Sequence, residues 1–426
     1  MKQHDLVPKS ILLPFILVTS LFFAWGLANN MTDTLLAAFK KIMSMSDFQT
    51  SWVSMAFYTA YFCLALPAAI LIKKYTYKTG IVIGLILFIV GGLGFYPASK
   101  TMEYSHFLIT LYVLAAGLSV LETSCNPFII DMGPQETATR RLNLAQSFNP
   151  IGSVTGALLS TFFILSNLDG ANASDRAQMT PEQLTQIQAG ELEAMMWPYV
   201  GVSVVLCVIL ILFCFVKVPA VKDKTPLDLK ATGARLFRNK KYFYGIIAQF
   251  FYVGAQIAVW SFTIRYAMRE LSISEEAASI YYIVSLVLFI SARFIFTALM
   301  KYIAPSKLLQ IAGVGAMICS LLVIFGGGFF GVCCLVGVSF FMSLMFPTIY
   351  GITITGLGGD TKIAGSGHIM AILGGAIITT AQGQVSDLTH SINYSYSVPL
   401  FCFLIVIIYG VYINRLERKN PVIARR

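Results

Sequence analysis

Two carboxylic acids lie inside stretches that are otherwise apolar enough to cross a bilayer. Asp33 closes the polar stretch 29–33, and Glu122 lies midway along the apolar run 105–132. A carboxylate at the centre of an inserted helix costs roughly 2.5–3.5 kcal/mol, so an acid at this depth is a functional candidate. Burial favours its protonated form, and a site that alternates between wet and dry can load and release a proton. The two acids therefore predict a proton-coupled transport pathway.

Amide side chains accompany both acids. Asn29 lies four residues before Asp33, about 40° around a helix, and Asn30 lies alongside. Asn126 lies four residues after Glu122 and shares its helix face. Two other interpretations stay open: the first helix could end before Asn29 and leave Asp33 at the water interface, and a fixed hydrogen bond could keep Glu122 neutral.

Further amide and aromatic side chains occur in two other apolar runs. Gln146 opens the run 142–166, and four residues follow one another at three- and four-residue steps within 242–268: Gln249, Tyr252, Gln256 and Trp260. Amides and hydroxyls beside an aromatic plane suit a neutral polyol, because hydrogen bonds match its hydroxyls and a ring covers its C–H face. The same side chains could instead join helices, a role that Asn and Gln often fill in membranes.

Other polar residues carry weaker signals. Arg293 either pairs with an acid or snorkels to an interface, and we favour a structural role. A lone histidine such as His368 is more often a bystander than a proton relay. The stretch 356–362 lacks the spacing of a phosphate loop, and no nucleophile lies beside a base. We therefore expect neither an enzyme nor an ATP-driven pump, and no metal or cofactor.

The composition predicts an all-α integral membrane protein. Hydrophobic residues make up 57% of the chain and charged residues only 12%, against about 25% charged in soluble proteins. Each apolar run has about the 20 residues that a membrane helix needs. The twelve runs form two sets of six: 11–39, 51–72, 80–98, 105–132, 142–166 and 197–216, then 242–268, 277–300, 306–327, 330–356, 363–386 and 396–414.

The charges predict the orientation and the domains. Lys and Arg are concentrated in the loops on the side of both termini, which places the termini in the cytoplasm. Basic loops that face anionic lipid account for the net charge of +10, so no nucleic-acid partner is needed. We expect one bundle over 1–216, a cytoplasmic linker over 217–241 and a second bundle over 242–426. Within the linker, 227–236 is predicted to form an amphipathic helix, and Thr180 to Gln183 resembles a helix start.

A weak internal repeat relates the two halves. Pro127 and Pro347 fall at similar places in the fourth and tenth runs. The fifth and eleventh runs are rich in glycine, which lets helices approach closely: Gly152 and Gly156 in one, Gly374 and Gly375 in the other. Parallel half-repeats of this kind are typical of rocking transporters.

Several of these segments together resemble the fucose:proton symporter family of the major facilitator superfamily. The resemblance covers most of the chain and is carried by Ala28-Asn29-Asn30 with Asp33, Leu121-Glu122-Thr123 with Asn126-Pro127-Phe128, the run Arg141 to Gln146, Tyr252 to Gln256 with Trp260-Ser261, Ile264 to Ala267, and Gly359 to Lys362. It implies the major facilitator fold of two six-helix bundles and a monomer in the cell inner membrane. The loop after the second run lacks the acidic residue common in the superfamily.

The resemblance also implies a function. The family imports L-fucose by proton symport, with Asp33 and Glu122 as the protonatable pair. Asn29, Asn30, Asn126, Gln146, Tyr252, Gln256, Trp260 and Phe346 are the residues that we expect to bind the sugar. Phe346 stands where close relatives have a tyrosine, which removes one hydroxyl. The alternatives are a transporter of glucose, galactose or N-acetylglucosamine, sodium coupling, an uncoupled facilitator, or a sensor that binds sugar without transporting it.

Overall fold

The computed structural model describes residues 6–42, 47–164, 178–216 and 227–419, and for 32–41, 47–55, 161, 164, 194 and 195 it describes the backbone alone. Within these ranges the regular structure is helical. The helices are α1 Leu12–Ile42, α2 Asp47–Lys74, α3 Tyr77–Thr101, α4 Tyr104–Asp131, α5 Ala138–Gln146, α6 Phe148–Leu159, α7 Pro181–Phe215, α8 Leu229–Arg238, α9 Lys240–Leu271, α10 Glu275–Leu299, α11 Pro305–Gly326, α12 Gly328–Met342, α13 Met345–Ile354, α14 Thr361–Met370, α15 Gly374–Thr389, α16 Ile392–Ser395 and α17 Ser397–Lys419.

Eleven segments of the described ranges are long and apolar enough to cross a membrane. They correspond to eleven of the twelve predicted runs. The remaining run, 142–166, is divided between α5 and α6, and its last described residues, Ser160–Ile164, form a π-helical turn. With this interrupted helix, the structure fits the predicted count of twelve.

Proline accounts for two of the interruptions. Pro150 has no N–H to donate to the carbonyl of Gln146, four residues earlier, and the helix breaks between α5 and α6. Pro347 stands in the same relation to the carbonyl of Ser343, where α12 gives way to α13. In contrast, α4 continues without a break through Pro127. The two interruptions that proline explains therefore lie in the fifth and tenth predicted runs.

The first helix continues past Asn29, where one interpretation of the sequence let it end. It runs without interruption from Leu12 to Ile42. The helix therefore does not end before Asn29, and Asp33 lies within it. The side chain of Asp33 is outside the described part of the structure.

Glycines allow the predicted close helix contacts in both halves of the sequence. A Cβ added at Gly152 of α6 would overlap the carbonyl oxygen of Phe23 in α1, and one at Gly156 would lie 2.5 Å from the carbonyl oxygen of Leu27. In the second half, a Cβ at Gly374 of α15 would overlap the carbonyl oxygen of Phe250 in α9. The first helix of each half thus packs backbone to backbone against the glycine-rich helix of that half.

The chain divides into two compact packing units. The first unit is Leu12–Cys125 with Phe148–Ala220, and the second is Met1–Ile11 with Asn126–Ser147 and Val221–Arg426. The segment 126–147 therefore packs with the second half of the sequence. The predicted bundles 1–216 and 242–426 follow the sequence repeat, and those bounds stay a prediction.

Arg141 fixes the chain between α4 and α5. Its fully buried guanidinium donates to the carbonyl oxygens of Ile129 (2.7 Å) and Ile130, which lie in the last turn of α4. Such carbonyls have no partner within their own helix, and a cation is favourable at this end of the helix dipole. Burial lowers the pKa of Arg141 to about 10, so the side chain stays charged at neutral pH.

The predicted helix start at Thr180 is confirmed, and the linker helix predicted over 227–236 is found two residues later, as α8 Leu229–Arg238. At the start of α7, the Thr180 hydroxyl accepts from the Gln183 N–H (3.3 Å), and the Gln183 side chain accepts from the Thr180 N–H (3.2 Å). In the linker, Asp228 caps the amphipathic α8. Arg235 of α8 forms a two-pronged ion pair with Asp360, at 2.9 and 2.7 Å, which raises the pKa of the guanidinium. The linker residues 217–226 lie outside the described part.

Candidate functional site

In the first unit, Glu122 is buried and hydrogen-bonded to a tyrosine of α2. Only 4% of Glu122 and 2% of Tyr61 is exposed, and the Tyr61 hydroxyl donates to Oε1 of Glu122 at 3.2 Å. The Asn29 side chain, from α1, also interacts with the Tyr61 hydroxyl. Three helices thus contribute to one polar cluster around a carboxyl group that can take up a proton.

The backbone holds this cluster in place. The Ser119 hydroxyl of α4 donates to the main-chain carbonyl of Tyr61 at 3.1 Å, one turn before Glu122. Small residues let α3 approach α4 closely, since a Cβ added at Gly84 would lie 2.8 Å from the Leu121 side chain. The position of Glu122 relative to Tyr61 is therefore set by helix packing rather than by a flexible loop.

In the second unit, two of the predicted sugar-binding amides contact each other. The side-chain nitrogen of Gln146 donates to the side-chain oxygen of Asn126 at 2.7 Å, and both residues are buried. Each amide satisfies one group of the other, which fixes how the pair is oriented. This contact joins the end of α4 to the end of α5.

Arg293 contacts the same residue, Gln146, from the other half of the sequence. Its Nη1 donates to the main-chain carbonyl of Gln146 at 2.9 Å, and its Nε donates to the carbonyl of Ser343 at 2.6 Å. The guanidinium carbon lies 4.5 Å from the ring centre of Phe289. Arg293 is 4% exposed, so it does not snorkel to a surface.

Aromatic packing continues from Phe289 to Trp260. The two rings meet edge to face with centres 5.0 Å apart, and the Trp260 indole N–H donates to the Ser339 hydroxyl at 3.2 Å. Trp260 of α9, predicted to cover a sugar, is thus connected through Phe289 to the buried guanidinium of Arg293.

The remaining predicted residues differ in their surroundings. The Tyr252 hydroxyl is buried and donates to the carbonyl of Met342 at 2.8 Å, so it already serves helix packing. Gln256, Asn30 and Phe346 are partly exposed. The ring of Phe346 lies 6.4 Å from that of Tyr350, with the two planes nearly parallel. The sugar-binding role of each stays a prediction.

His368 of α14 is fully buried between two tyrosines. Its ring centre lies 4.6 Å from that of Tyr350 and 6.2 Å from that of Tyr242. Within the described ranges, neither ring nitrogen has a hydrogen-bond partner. The two tyrosine rings are thus contacts of the His368 imidazole.

The structure thus groups some of the predicted residues. Glu122 is brought together with Asn29, and Gln146 with Asn126. Sequence reasoning missed Tyr61, which has no signal beyond a hydroxyl inside an apolar run. It also assigned Arg293 no part in the site, although Pro150 and Pro347 mark the two carbonyls to which this arginine donates.

Comparison with known proteins agrees with this architecture. Residues 15–381 match the Major Facilitator Superfamily. The L-fucose-proton symporter of Haemophilus influenzae is 39% identical, covering 94% of this chain and 96% of that protein. The glucose/galactose transporter of Brucella abortus is 31% identical, covering 92% of each. A solved Major Facilitator Superfamily transporter, FucP, in the outward conformation superposes with a TM-score of 0.89 at 37% identity, covering 95% of this chain and 99% of that one.

Proposed function

The chain belongs to the fucose:proton symporter family of the major facilitator superfamily, and from this premise we propose that it imports L-fucose together with a proton. It is a multi-pass membrane transporter and not an enzyme. L-Fucose is the substrate named for the 39% identical relative, whereas the glucose/galactose transporter is 31% identical. The second candidate substrate is therefore glucose or galactose.

The buried carboxyl of Glu122 is the observation that carries the proton part of the proposal. A carboxylate at this depth is costly unless hydrogen-bonded or protonated, and Tyr61 supplies a donor at 3.2 Å. A buried carboxyl group that is hydrogen-bonded in this way can exist in either protonation form. Glu122 in its protonated form allows the sugar to bind and the protein to reorient, and Asp33 exchanges its proton with the aqueous side.

The amide and aromatic residues carry the sugar part of the proposal. Asn126 and Gln146 offer oriented hydrogen-bonding groups, and Trp260 offers an indole plane fixed at its N–H. These groups match the hydroxyls and the C–H face of a neutral sugar. Asn29, Asn30, Tyr252, Gln256 and Phe346 complete the proposed set.

Proton coupling supplies the free energy needed to accumulate a neutral sugar. A neutral sugar gains nothing from the membrane voltage unless a charge moves with it, and one elementary charge is worth about 2.3 kcal/mol per 100 mV. At about 1.4 kcal/mol per tenfold ratio, one proton sustains accumulation on the order of fiftyfold per 100 mV. We further propose that the transporter acts as a monomer in the cell inner membrane, with both termini in the cytoplasm.

Proteoliposomes test the proposal directly. We expect uptake of labelled L-fucose above equilibrium when the outside is made acidic, no accumulation without a pH gradient, and no effect of a sodium gradient. A parallel panel of glucose, galactose and N-acetylglucosamine separates the candidate substrates. Uptake that only equilibrates would indicate an uncoupled facilitator, and binding without any uptake would indicate a sensor.

A further inference from the structure

Arg293 donates to two carbonyl groups that lack a donor within their own helix for the same reason. In a helix each carbonyl accepts from the N–H four residues later. For Gln146 that residue is Pro150, and for Ser343 it is Pro347, so neither carbonyl has a helical donor. One guanidinium supplies both missing donors, at 2.9 and 2.6 Å.

The two breaks belong to different halves of the sequence. The first lies between α5 and α6 and the second between α12 and α13. Both broken helices carry predicted sugar-binding residues, Gln146 at the end of α5 and Phe346 in the first turn of α13. Arg293 thus joins the carbonyl of Gln146, at the end of α5, to the carbonyl of Ser343, just after α12, and all three residues belong to the second packing unit.

The guanidinium is well suited to this task. It is planar and offers several N–H groups in fixed directions, and its central carbon lies over the Phe289 ring, 4.5 Å from the ring centre. An unpaired carbonyl buried in an apolar environment is costly, which gives both contacts a strong driving force. Lysine retains the charge but carries its N–H donors on one nitrogen, so it matches less well two carbonyls that contact Nε and Nη1 of the arginine separately.

We propose that Arg293 is a positioning residue for sugar recognition: it replaces the donors that Pro150 and Pro347 remove, and so fixes Gln146 relative to α13. This inference rests on the proposed function, because Gln146 acts in it as a sugar-binding residue. When the hydrogen bonds of Arg293 to the two carbonyls are lost, the Gln146 side chain can turn away from the orientation in which it donates to Asn126.

The test compares Arg293→Met and Arg293→Lys with Arg265→Met in proteoliposomes. Arg265 is a matched control, since its guanidinium also lies over a ring, that of Phe262 at 5.3 Å, but the side chain is exposed. Loss of two charge-assisted hydrogen bonds should raise the KM for L-fucose at least about tenfold in Arg293→Met. Arg293→Lys should fall between that variant and the wild type, and Arg265→Met should match the wild type.

A double-mutant cycle with Pro150→Ala makes the test specific. The alanine restores an N–H for the carbonyl of Gln146, so Arg293→Met should raise the KM several-fold less in that background. The same cycle, measured as thermal unfolding of the purified protein, should show Pro150→Ala recovering part of the melting temperature lost in Arg293→Met. If Arg293→Met does not fold, Arg293→Lys takes its place in both cycles with a smaller expected effect.

Equal effects of Arg293→Met in both backgrounds would overturn the inference, as would a wild-type KM in Arg293→Met. The unfolding cycle needs no sugar. If the wild-type protein fails to take up L-fucose while the unfolding cycle still shows coupling between Arg293 and Pro150, the proposed function is contradicted. The role of Arg293 in replacing the missing donors is then still supported.

Discussion

At the scale of single residues, the cluster of Glu122, Tyr61 and Asn29 shows that the two roles considered for Glu122 do not exclude each other. The sequence left open whether Glu122 was a proton carrier or a group neutralised by a fixed hydrogen bond. The structure contains such a hydrogen bond, from Tyr61 to Oε1 at 3.2 Å. A hydrogen bond to the ionised form and transient protonation are compatible, because the bond tunes the proton affinity without removing it.

Glu122→Gln should separate coupling from binding. The amide cannot take up a proton, so accumulation driven by a pH gradient should fall to equilibrium. Exchange of labelled for unlabelled L-fucose should persist, because the amide mimics the neutral acid in size and charge. Counterflow and gradient-driven uptake in the same proteoliposomes measure the two properties, and accumulation at the wild-type level would remove Glu122 from the proton pathway.

Tyr61→Phe should shift the pH dependence of transport. The lost hydroxyl donates to Glu122, and a donor favours the ionised carboxylate. Without it the carboxyl group of Glu122 loses this hydrogen bond, so the pH dependence of uptake should differ from that of the wild type. Uptake measured over a pH series provides the comparison, with Tyr112→Phe, an exposed tyrosine of α4, as the control; a pH profile identical to that of the wild type would contradict this account.

At the scale of elements, the glycine-rich helices of the two halves pack in the same way. Gly152 lies against the backbone of α1, and Gly374 lies against the backbone of α9. In both halves, the contact is between a glycine and a phenylalanine carbonyl of the first helix. The sequence showed the glycines and predicted close contact, but it did not show which helix would be approached.

Gly152→Ala should destabilise the first unit. The added methyl group would overlap the carbonyl oxygen of Phe23, so α1 and α6 must move apart, at a cost of roughly 1–3 kcal/mol. Gly201→Ala is the control, since a Cβ at Gly201 of α7 meets nothing within 4 Å. Thermal unfolding in detergent should show a lower melting temperature for Gly152→Ala alone, and equal values for the two variants would refute the packing argument.

At the scale of the whole molecule, the segment 126–147 packs with the half of the sequence to which it does not belong. It belongs to the first half of the sequence, yet it packs with 221–426. Arg140 donates to the carbonyl of Thr297 at 3.1 Å, and Asn143 donates to the Thr348 hydroxyl at 3.2 Å. A rocking transporter must release contacts of this kind when the two halves of its repeat change position.

Gly351→Ala should perturb that contact. A Cβ at Gly351 would lie 2.8 Å from the Thr139 hydroxyl and 3.0 Å from its Cα, so the segment 126–147 must shift from α13. We expect a several-fold lower rate of L-fucose uptake with the protein still folded. Gly233→Ala is the control, because nothing lies within 4 Å of that position, and an uptake rate for Gly351→Ala equal to the control would contradict the prediction.

The sequence by itself determined the helical membrane fold, the count of twelve spans and the start of α7, because hydropathy and capping residues act locally. It also placed Glu122, Gln146 and Asn126 among the polar residues to watch, since a polar group in an apolar run is visible without coordinates. Only the tertiary structure decided the partners. The hydrogen bond from Tyr61 to Glu122 spans 61 positions of the sequence, and the one from Arg293 to Gln146 spans 147 positions. Whether such bonds form depends on how whole helices pack.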